Sequence, residues 1–163
     1  NWGVKDGLLT VRLKPGMNGK GSADVTLYYD SLSSVKVSGA NVSVAGVLSA
    51  VMLDIDLSAG ATFGAELATK DTYMKVAGNS VANVTGTTKY FTLVTGAKSK
   101  VDCRSLTAED VRVEAGSAAE VYVNVTERLQ MTADTGAAIF YKGSPEILRS
   151  SSKMLGTINN IGQ

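Results

Sequence analysis

Residues 51 to 60, VMLDIDLSAG, alternate strictly: Val51, Leu53, Ile55 and Leu57 fall on one face, and Met52, Asp54 and Asp56 on the other. A period of two turns successive side chains to opposite sides of the backbone and predicts a half-buried strand. Val111 and Val113 around Arg112, and Val121 and Val123 around Tyr122, repeat the pattern, with only the small residues of AGSAA between the two pieces. No capping box followed by an amphipathic run appears, so no helix is predicted.

The small-residue patches recur. Gly39, Gly60, Gly78, Gly96, Gly116, Gly136 and Gly156 are spaced 18 to 21 residues apart. Apolar residues precede them (Val37, Leu57, Val76, Val94, Val113) and follow them (Val42, Phe63, Val81, Val101, Val121, Ile139, Ile158). A unit of about 20 residues holds strands and a corner but is too short for a crossover helix, which needs a unit of roughly 30 or more. Stacked units of this kind give a right-handed parallel β-helix, an all-β solenoid whose strands pair with their equivalents one coil above and below. Corners stacked about 4.8 Å apart leave no room for large side chains, which explains the Gly, Ala and Ser. Pro15 and Pro145 bracket a proline-free stretch, as a doubly paired ladder requires. An antiparallel sandwich is the alternative, but it calls for more Asn-Gly or Asp-Gly hairpin turns than this chain contains.

The amino-terminal part departs from the repeat. KDGLLTVRLKPG places Asp6-Gly7 before an alternating strand, and a glycine-rich polar loop follows over Gly16 to Asp24. The expected division is therefore 1–24, a strand and flexible loop left from a longer amino-terminal segment, and 25–163, the solenoid, with VTLYY at 25 to 29 rejoining the array.

Aligning the coils on their corners predicts outward columns along the solenoid. One holds Lys36, Asp56, Lys75, Leu93 and Arg112; its neighbour holds Asp54, Tyr73, Phe91 and Asp110. Opposite charges on adjacent rungs would fix register at about 0.2–1 kcal/mol each. As a binding stripe, exposed aromatics beside carboxylates suit a flat sugar-binding surface. Asp54, Tyr73, Phe91, Asp110 and Arg112 are the candidate ligand-contact residues.

Composition narrows the chemistry. The 163 residues are 44% hydrophobic, enough for one substantial core, and 16 Lys+Arg against 15 Asp+Glu leave a net charge of +1, with no field to attract nucleic acid. There is no histidine, which removes Ser-His-Asp and Cys-His arrangements and the commonest zinc ligand. Cys103 is alone, so it forms no intrachain disulfide or cysteine cluster, and it is expected as a small buried hydrophobe. VSVAGVLSAVML at 42 to 53 is too short to span a bilayer. Asn1 follows no initiator Met or signal peptide, as in a processed chain or a fragment. Asp54 and Asp56 form an acid pair on one face, the only arrangement here that resembles a glycosidase pair, with no other catalytic group beside it. GKGSAD at 19 to 24 lacks the Lys-hydroxyl ending of a phosphate loop. The sequons at Asn41, Asn83 and Asn124 read as polar strand and corner residues, and no calcium-type repeat occurs. No catalytic, cofactor or metal residues are assigned.

The run DVRVEAGSAAEVYVNVTERLQMTADTGAAIFYKGSPEILRSSSKMLGTI resembles the auto-transporter adhesin head domain, or GIN (DUF2807), family common in Bacteroidetes. The corner followed by EVYV and the element Phe140, Tyr141, Lys142, Gly143, Ser144, Pro145 carry the likeness, and VSGANVSV, LSAGATF and KDGLLTVRLKPG fit it. The family writes its corners with a recurring aspartate, which is largely lost here in SGAN, AGNS, TGAK, AGSAA and TGAA. The resemblance implies a parallel β-helical solenoid, an extracytoplasmic place in the periplasm, at the outer membrane or on the cell surface, and a non-enzymatic binding or scaffold role. The partner would be an envelope or host glycan or a surface protein. A polysaccharide-active enzyme and a purely structural unit, forming homo-oligomers through the solenoid ends, are the alternatives.

Overall fold

A computed structural model describes residues 2–12 and 24–162 of the chain. The repeat folds as anticipated into an all-β parallel solenoid of about 7 turns, with about 19 residues per coil. Its rungs are β3 (Ser34–Ser38), β4 (Asn41–Ser58), β5 (Thr62–Val76), β6 (Val81–Thr95), β7 (Lys100–Ala115), β8 (Glu120–Ala133), β9 (Ala138–Lys142), β10 (Ile147–Ser152) and β11 (Thr157–Asn160). Each pairs in parallel with its neighbour along the axis, in the order β11-β9-β8-β7-β6-β5-β4-β3, with β10 on β8.

Strands of 14 to 18 residues are long because most bends of a coil do not break the ladder. In β5 the inward set Phe63, Ala65 and Leu67 gives way to Thr72, Met74 and Val76, a change of parity across Lys70. Lys70 is skipped in the register, and so are Val51, Lys89 and Glu109 on adjacent rungs. One outward residue per coil thus turns the strand and resets its inside face. Val51 is accordingly 71% exposed, although the alternation had placed it with Leu53, Ile55 and Leu57, which are buried.

The sharp corner is a four-residue turn with two left-handed residues. Ala59-Gly60, Gly78-Asn79, Ala97-Lys98, Ser117-Ala118, Thr135-Gly136 and Met154-Leu155 all have positive φ. The N–H of the last turn residue donates to the first C=O at Ala61 to Ser58, Ser99 to Gly96, Ala119 to Gly116, Ala137 to Asp134 and Gly156 to Lys153. At Ser80 the hydroxyl closes the turn instead, donating to Ala77 O at 2.6 Å and accepting the Ala61 N–H at 3.2 Å from the adjacent coil. Glycine therefore stands first in one corner (Gly78), second in two (Gly60 and Gly136), and outside the left-handed pair at Gly96, Gly116 and Gly156. Glycine positions alone do not mark equivalent residues.

The interior is one continuous apolar column system that includes Phe63, Phe91, Leu93, Leu129 and Met131. It holds a small polar cluster: Thr69 Oγ1 lies 2.6 Å from Thr72 Oγ1 and 2.9 Å from Thr88 Oγ1, and Thr88 donates to Tyr90 O. Among the described residues the Thr95 hydroxyl is a buried side-chain polar atom with no partner.

The amino-terminal hairpin, β1 (Trp2–Lys5) and β2 (Leu8–Val11), forms a separate antiparallel sheet turned by Asp6-Gly7, both with positive φ. VTLYY at 25 to 29, expected to rejoin the array, adopts no strand, and the ladder begins at β3. The loop assigned to Gly16–Asp24 lies outside the described residues except for Asp24.

Candidate functional site

The register settles which side chains share a column. On the face formed by the carboxyl-terminal halves of the rungs, Ser34, Asp54, Tyr73, Thr92, Arg112 and Gln130 align outward. Beside them run Lys36, Asp56, Lys75, Val94, Glu114 and Thr132, and on the other side Met52, Asp71, Tyr90, Asp110 and Arg128. Of the predicted contact residues, Asp54 and Tyr73 are therefore axial neighbours, while Arg112 follows in their column beyond Thr92. Asp110 belongs to the adjacent column, next to Tyr90.

Phe91 is not on this surface. It is 2% exposed and sits inside, between Thr72 and Val111. Leu93, placed with the lysines and aspartates from the sequence, is likewise interior. Both corrections have one cause. Counting 18 residues from Gly78 to Gly96 misaligned the coils by one, and a one-residue slip exchanges inside for outside. The true repeat there is 19, because Gly78 is the first left-handed residue of its corner while Gly96 stands just before the left-handed pair Ala97-Lys98.

Asp54, Tyr73, Lys36, Asp56, Lys75 and Ser34 line a shallow, open depression of about 190 Å³. Tyr73 is 41% exposed. Lys36, Asp56 and Lys75 align as the predicted charge ladder, yet among the described residues none of these groups closes an ion pair within 4.0 Å. Further along the same face the charges are paired: Arg112 with Glu114 at 2.7 Å, Arg128 with Asp110 at 3.0 Å, and Lys89 with Glu109 at 3.3 Å. The amino-terminal end of the face thus offers charged groups and an aromatic ring that are not already engaged with one another.

A second cluster, on the face formed by the first halves of the rungs, was not found from the sequence. Asn83, Asp102, Tyr122, Phe140 and Asn159 form its column. The Tyr122 and Phe140 rings stack with centroids 4.8 Å apart and planes 14° from parallel. The Arg104 guanidinium covers the Tyr122 ring at 4.8 Å and is ion-paired with Asp102, and Lys100 pairs with Glu120 at 2.7 Å. Arg104 holds the Asp102 carboxyl below its usual range and Lys100 does the same for Glu120, while burial raises the Tyr122 hydroxyl. These partners satisfy one another, so the cluster acts as a register-fixing ladder. Local alternation shows Tyr122 and Phe140 facing outward, but only the rung register brings them together.

Toward the amino-terminal end of that face, Gly64 leaves its column without a side chain between Ser43 and Asn83. The result is a wider open depression of about 440 Å³, lined also by Asn41 and Thr62. Cys103 is fully buried, and burial pushes its thiol pKa up, well away from thiolate chemistry. Among the described residues no cluster of three or more Cys, Asp or Glu is placed to hold a metal ion, and no helix is long and apolar enough to cross a membrane.

A parallel solenoid with laddered, solvent-facing columns and shallow surface depressions is a class defined by its outer surface. Within that class the chain belongs to the family described as "Putative auto-transporter adhesin, head GIN domain", whose sequence profile matches residues 1–145. The KGSP element that carried the resemblance has a structural reason: Gly143 has φ +101°, and a Cβ there would lie 2.0 Å from Val125 O. The chain is similar to the crystal structure of a protein from Bacteroides fragilis described as a "putative adhesin". The TM-score is 0.83 at 23% identity, over 99% of this chain and 76% of that one. At that identity the likeness shows the fold. No functionally curated protein matches the sequence.

Proposed function

We propose that this domain is a non-enzymatic binding module of the bacterial cell surface or envelope, and that its contact surface is the face around Asp54 and Tyr73. The observation that carries the reading is the contrast along that face. Asp54, Tyr73, Lys36, Asp56 and Lys75 surround an open depression without ion-pairing to each other, whereas Asp110, Arg112, Glu114 and Arg128 are engaged in pairs. A ring edged by carboxylates and ammonium groups suits the apolar face and hydroxyls of a sugar, and a polysaccharide or a glycosylated surface protein is the partner class. Arg112 extends the stripe along the column.

The family's description as an adhesin supports both the binding role and the surface location. An enzymatic reading would rest on Asp54 and Asp56, which occupy adjacent columns of a shallow, open surface. The test is binding of the chain to immobilised envelope and host polysaccharides, compared with Tyr73→Ala and Asp54→Asn. Binding lost in both variants with unchanged unfolding midpoints supports the reading. Binding that survives both, or polysaccharide cleavage that Asp54→Asn abolishes, overturns it.

A further inference from the structure

The face formed by the first halves of the rungs carries one glycine that the fold does not ask for. Gly64 lies inside β5 without a positive φ, and a Cβ there would meet nothing nearer than Asn83 O at 4.0 Å. Gly46 and Gly86, the other glycines within the described rungs, have φ +78° and +101°, and a Cβ on Gly86 would strike the Leu67 backbone. Those two are set by the backbone, and Gly64 is not. A glycine inside a strand weakens it, through chain entropy and the missing side chain, and one with no conformational reason marks a place where another group comes close to the backbone.

The surroundings of Gly64 say what kind of group that is. In its column Ser43 stands one rung before and Asn83 one rung after, so the gap between their side chains spans two rung spacings, about 9.6 Å, with Gly64 as its floor. Asn41 and Thr62 border the gap from the next column, and the whole depression holds about 440 Å³, within the range of about 300–1,000 Å³ usual for small-molecule sites. Asn41, Ser43 and Asn83 are exposed and Thr62 is half-buried. Among the described residues none of these four side chains is engaged in a hydrogen bond, whereas further along the same column Asp102 is tied to Arg104 and Tyr122 is stacked on Phe140. Two amides and two hydroxyls each donate and accept, as the hydroxyls of a sugar do. No charged side chain lines the depression, so nothing there would offset a charge on the ligand, and no exposed ring or guanidinium offers the anchor of a protein interface.

We propose that the Gly64 depression is a second binding site, which takes a neutral sugar unit of a glycan between Asn41, Ser43, Thr62 and Asn83. It lies on a different face from Asp54 and Tyr73 and does not rest on their role.

Saturation-transfer NMR of the 163-residue chain with neutral oligosaccharides of glucose, galactose, mannose and N-acetylglucosamine tests this, with an oligogalacturonate as the charged comparison. The variants are Gly64→Thr, Asn83→Ala and Tyr73→Ala. Threonine suits both the backbone and the open space at position 64, so Gly64→Thr raises the urea unfolding midpoint while it fills the gap. At least one neutral oligosaccharide binds the wild type; Gly64→Thr and Asn83→Ala each weaken it about 10-fold or more, and Tyr73→Ala leaves it unchanged. Four results overturn the proposal: no binding of any neutral oligosaccharide, binding that survives Gly64→Thr, binding confined to the oligogalacturonate, or a Gly64→Thr chain less stable than the wild type, which would make the glycine a requirement of the fold. Neutral binding lost only in Tyr73→Ala overturns it as well, since the contact then belongs to the other face.

Discussion

Replacing Gly86 by Ala probes the rung spacing on which the solenoid depends. Gly86 has φ +101° and faces Leu67 of the preceding rung; an added Cβ would lie 2.1 Å from Leu67 O, 2.8 Å from Leu67 N and 3.0 Å from Leu67 C. These are backbone atoms of a paired strand and cannot swing aside as the tip of a flexible side chain would. An L-residue at such a φ costs about 1–3 kcal/mol. Separating β5 from β6 enough to relieve the contact weakens one or two ladder hydrogen bonds, each worth about 1 kcal/mol net. The lower backbone entropy of unfolded Ala returns about 0.5–1 kcal/mol. The balance is a destabilisation of about 2–4 kcal/mol. Urea unfolding followed by far-UV circular dichroism measures it, with Gly96→Ala as the control, because Gly96 has an ordinary φ and its Cβ would meet Gly116 O at a comfortable 3.6 Å. If Gly86→Ala unfolds at the same urea concentration as Gly96→Ala, the rung-to-rung contact at Gly86 is not as described and the reasoning fails.

Removing the buried, unpartnered hydroxyl with Thr95→Val keeps the shape and should raise stability by about 1 kcal/mol in the same urea assay; a loss of stability would mean that the hydroxyl is satisfied. Ala97→Gly relieves a left-handed residue, φ 52°, that costs about 1–2 kcal/mol, against about 0.5–1 kcal/mol of added glycine entropy. A gain of about 0.5–1 kcal/mol is expected, and thermal unfolding would show it as a higher midpoint. Asp102 is held below its unfolded pKa of about 3.9 chiefly by the Arg104 hydrogen bonds. Its contribution is complete above that pKa and fades as pH falls through the lower folded value, because the unfolded chain takes up the proton first. Asp102→Asn should therefore flatten the fall in stability below about pH 4, and an unchanged acid limb would dismiss the Asp102–Arg104 pair as a contributor.

The solenoid was legible in the sequence because period-two alternation and small-residue corners are local signals, readable over a few residues. The alternation in LDIDL placed Leu53, Ile55 and Leu57 inside and Asp54 and Asp56 outside correctly, and the aligned trio Lys36, Asp56 and Lys75 followed. What failed was the long-range count. The corner requires two left-handed residues, but Ala, Ser, Lys, Asn, Thr, Met and Leu fill those places as well as Gly, so glycine gave no fixed origin for each coil. An error of one residue between Gly78 and Gly96 assigned Phe91 and Leu93 to the surface, while the structure buries both. The bend residues Val51, Lys70, Lys89 and Glu109 add a second difficulty. They break the period-two pattern inside a strand, so alternation alone counted Val51 into the core. The Tyr122–Phe140 stack escaped notice for the same reason: each ring is plainly outward, but their meeting depends on the register.

That register is the central claim, because it decides which aromatic ring belongs to the candidate surface. Adjacent rungs lie about 4.8 Å apart, within the Cα separations of about 4.4–6.8 Å that disulfides span. The most direct test introduces Tyr73→Cys/Thr92→Cys in one chain and Tyr73→Cys/Phe91→Cys in another, and measures crosslinking of the folded protein under mild oxidation. The first pair should close into a disulfide and the second should remain reduced, since position 91 points into the core. Crosslinking of the second pair with the first left open would put Phe91 on the surface and contradict the account.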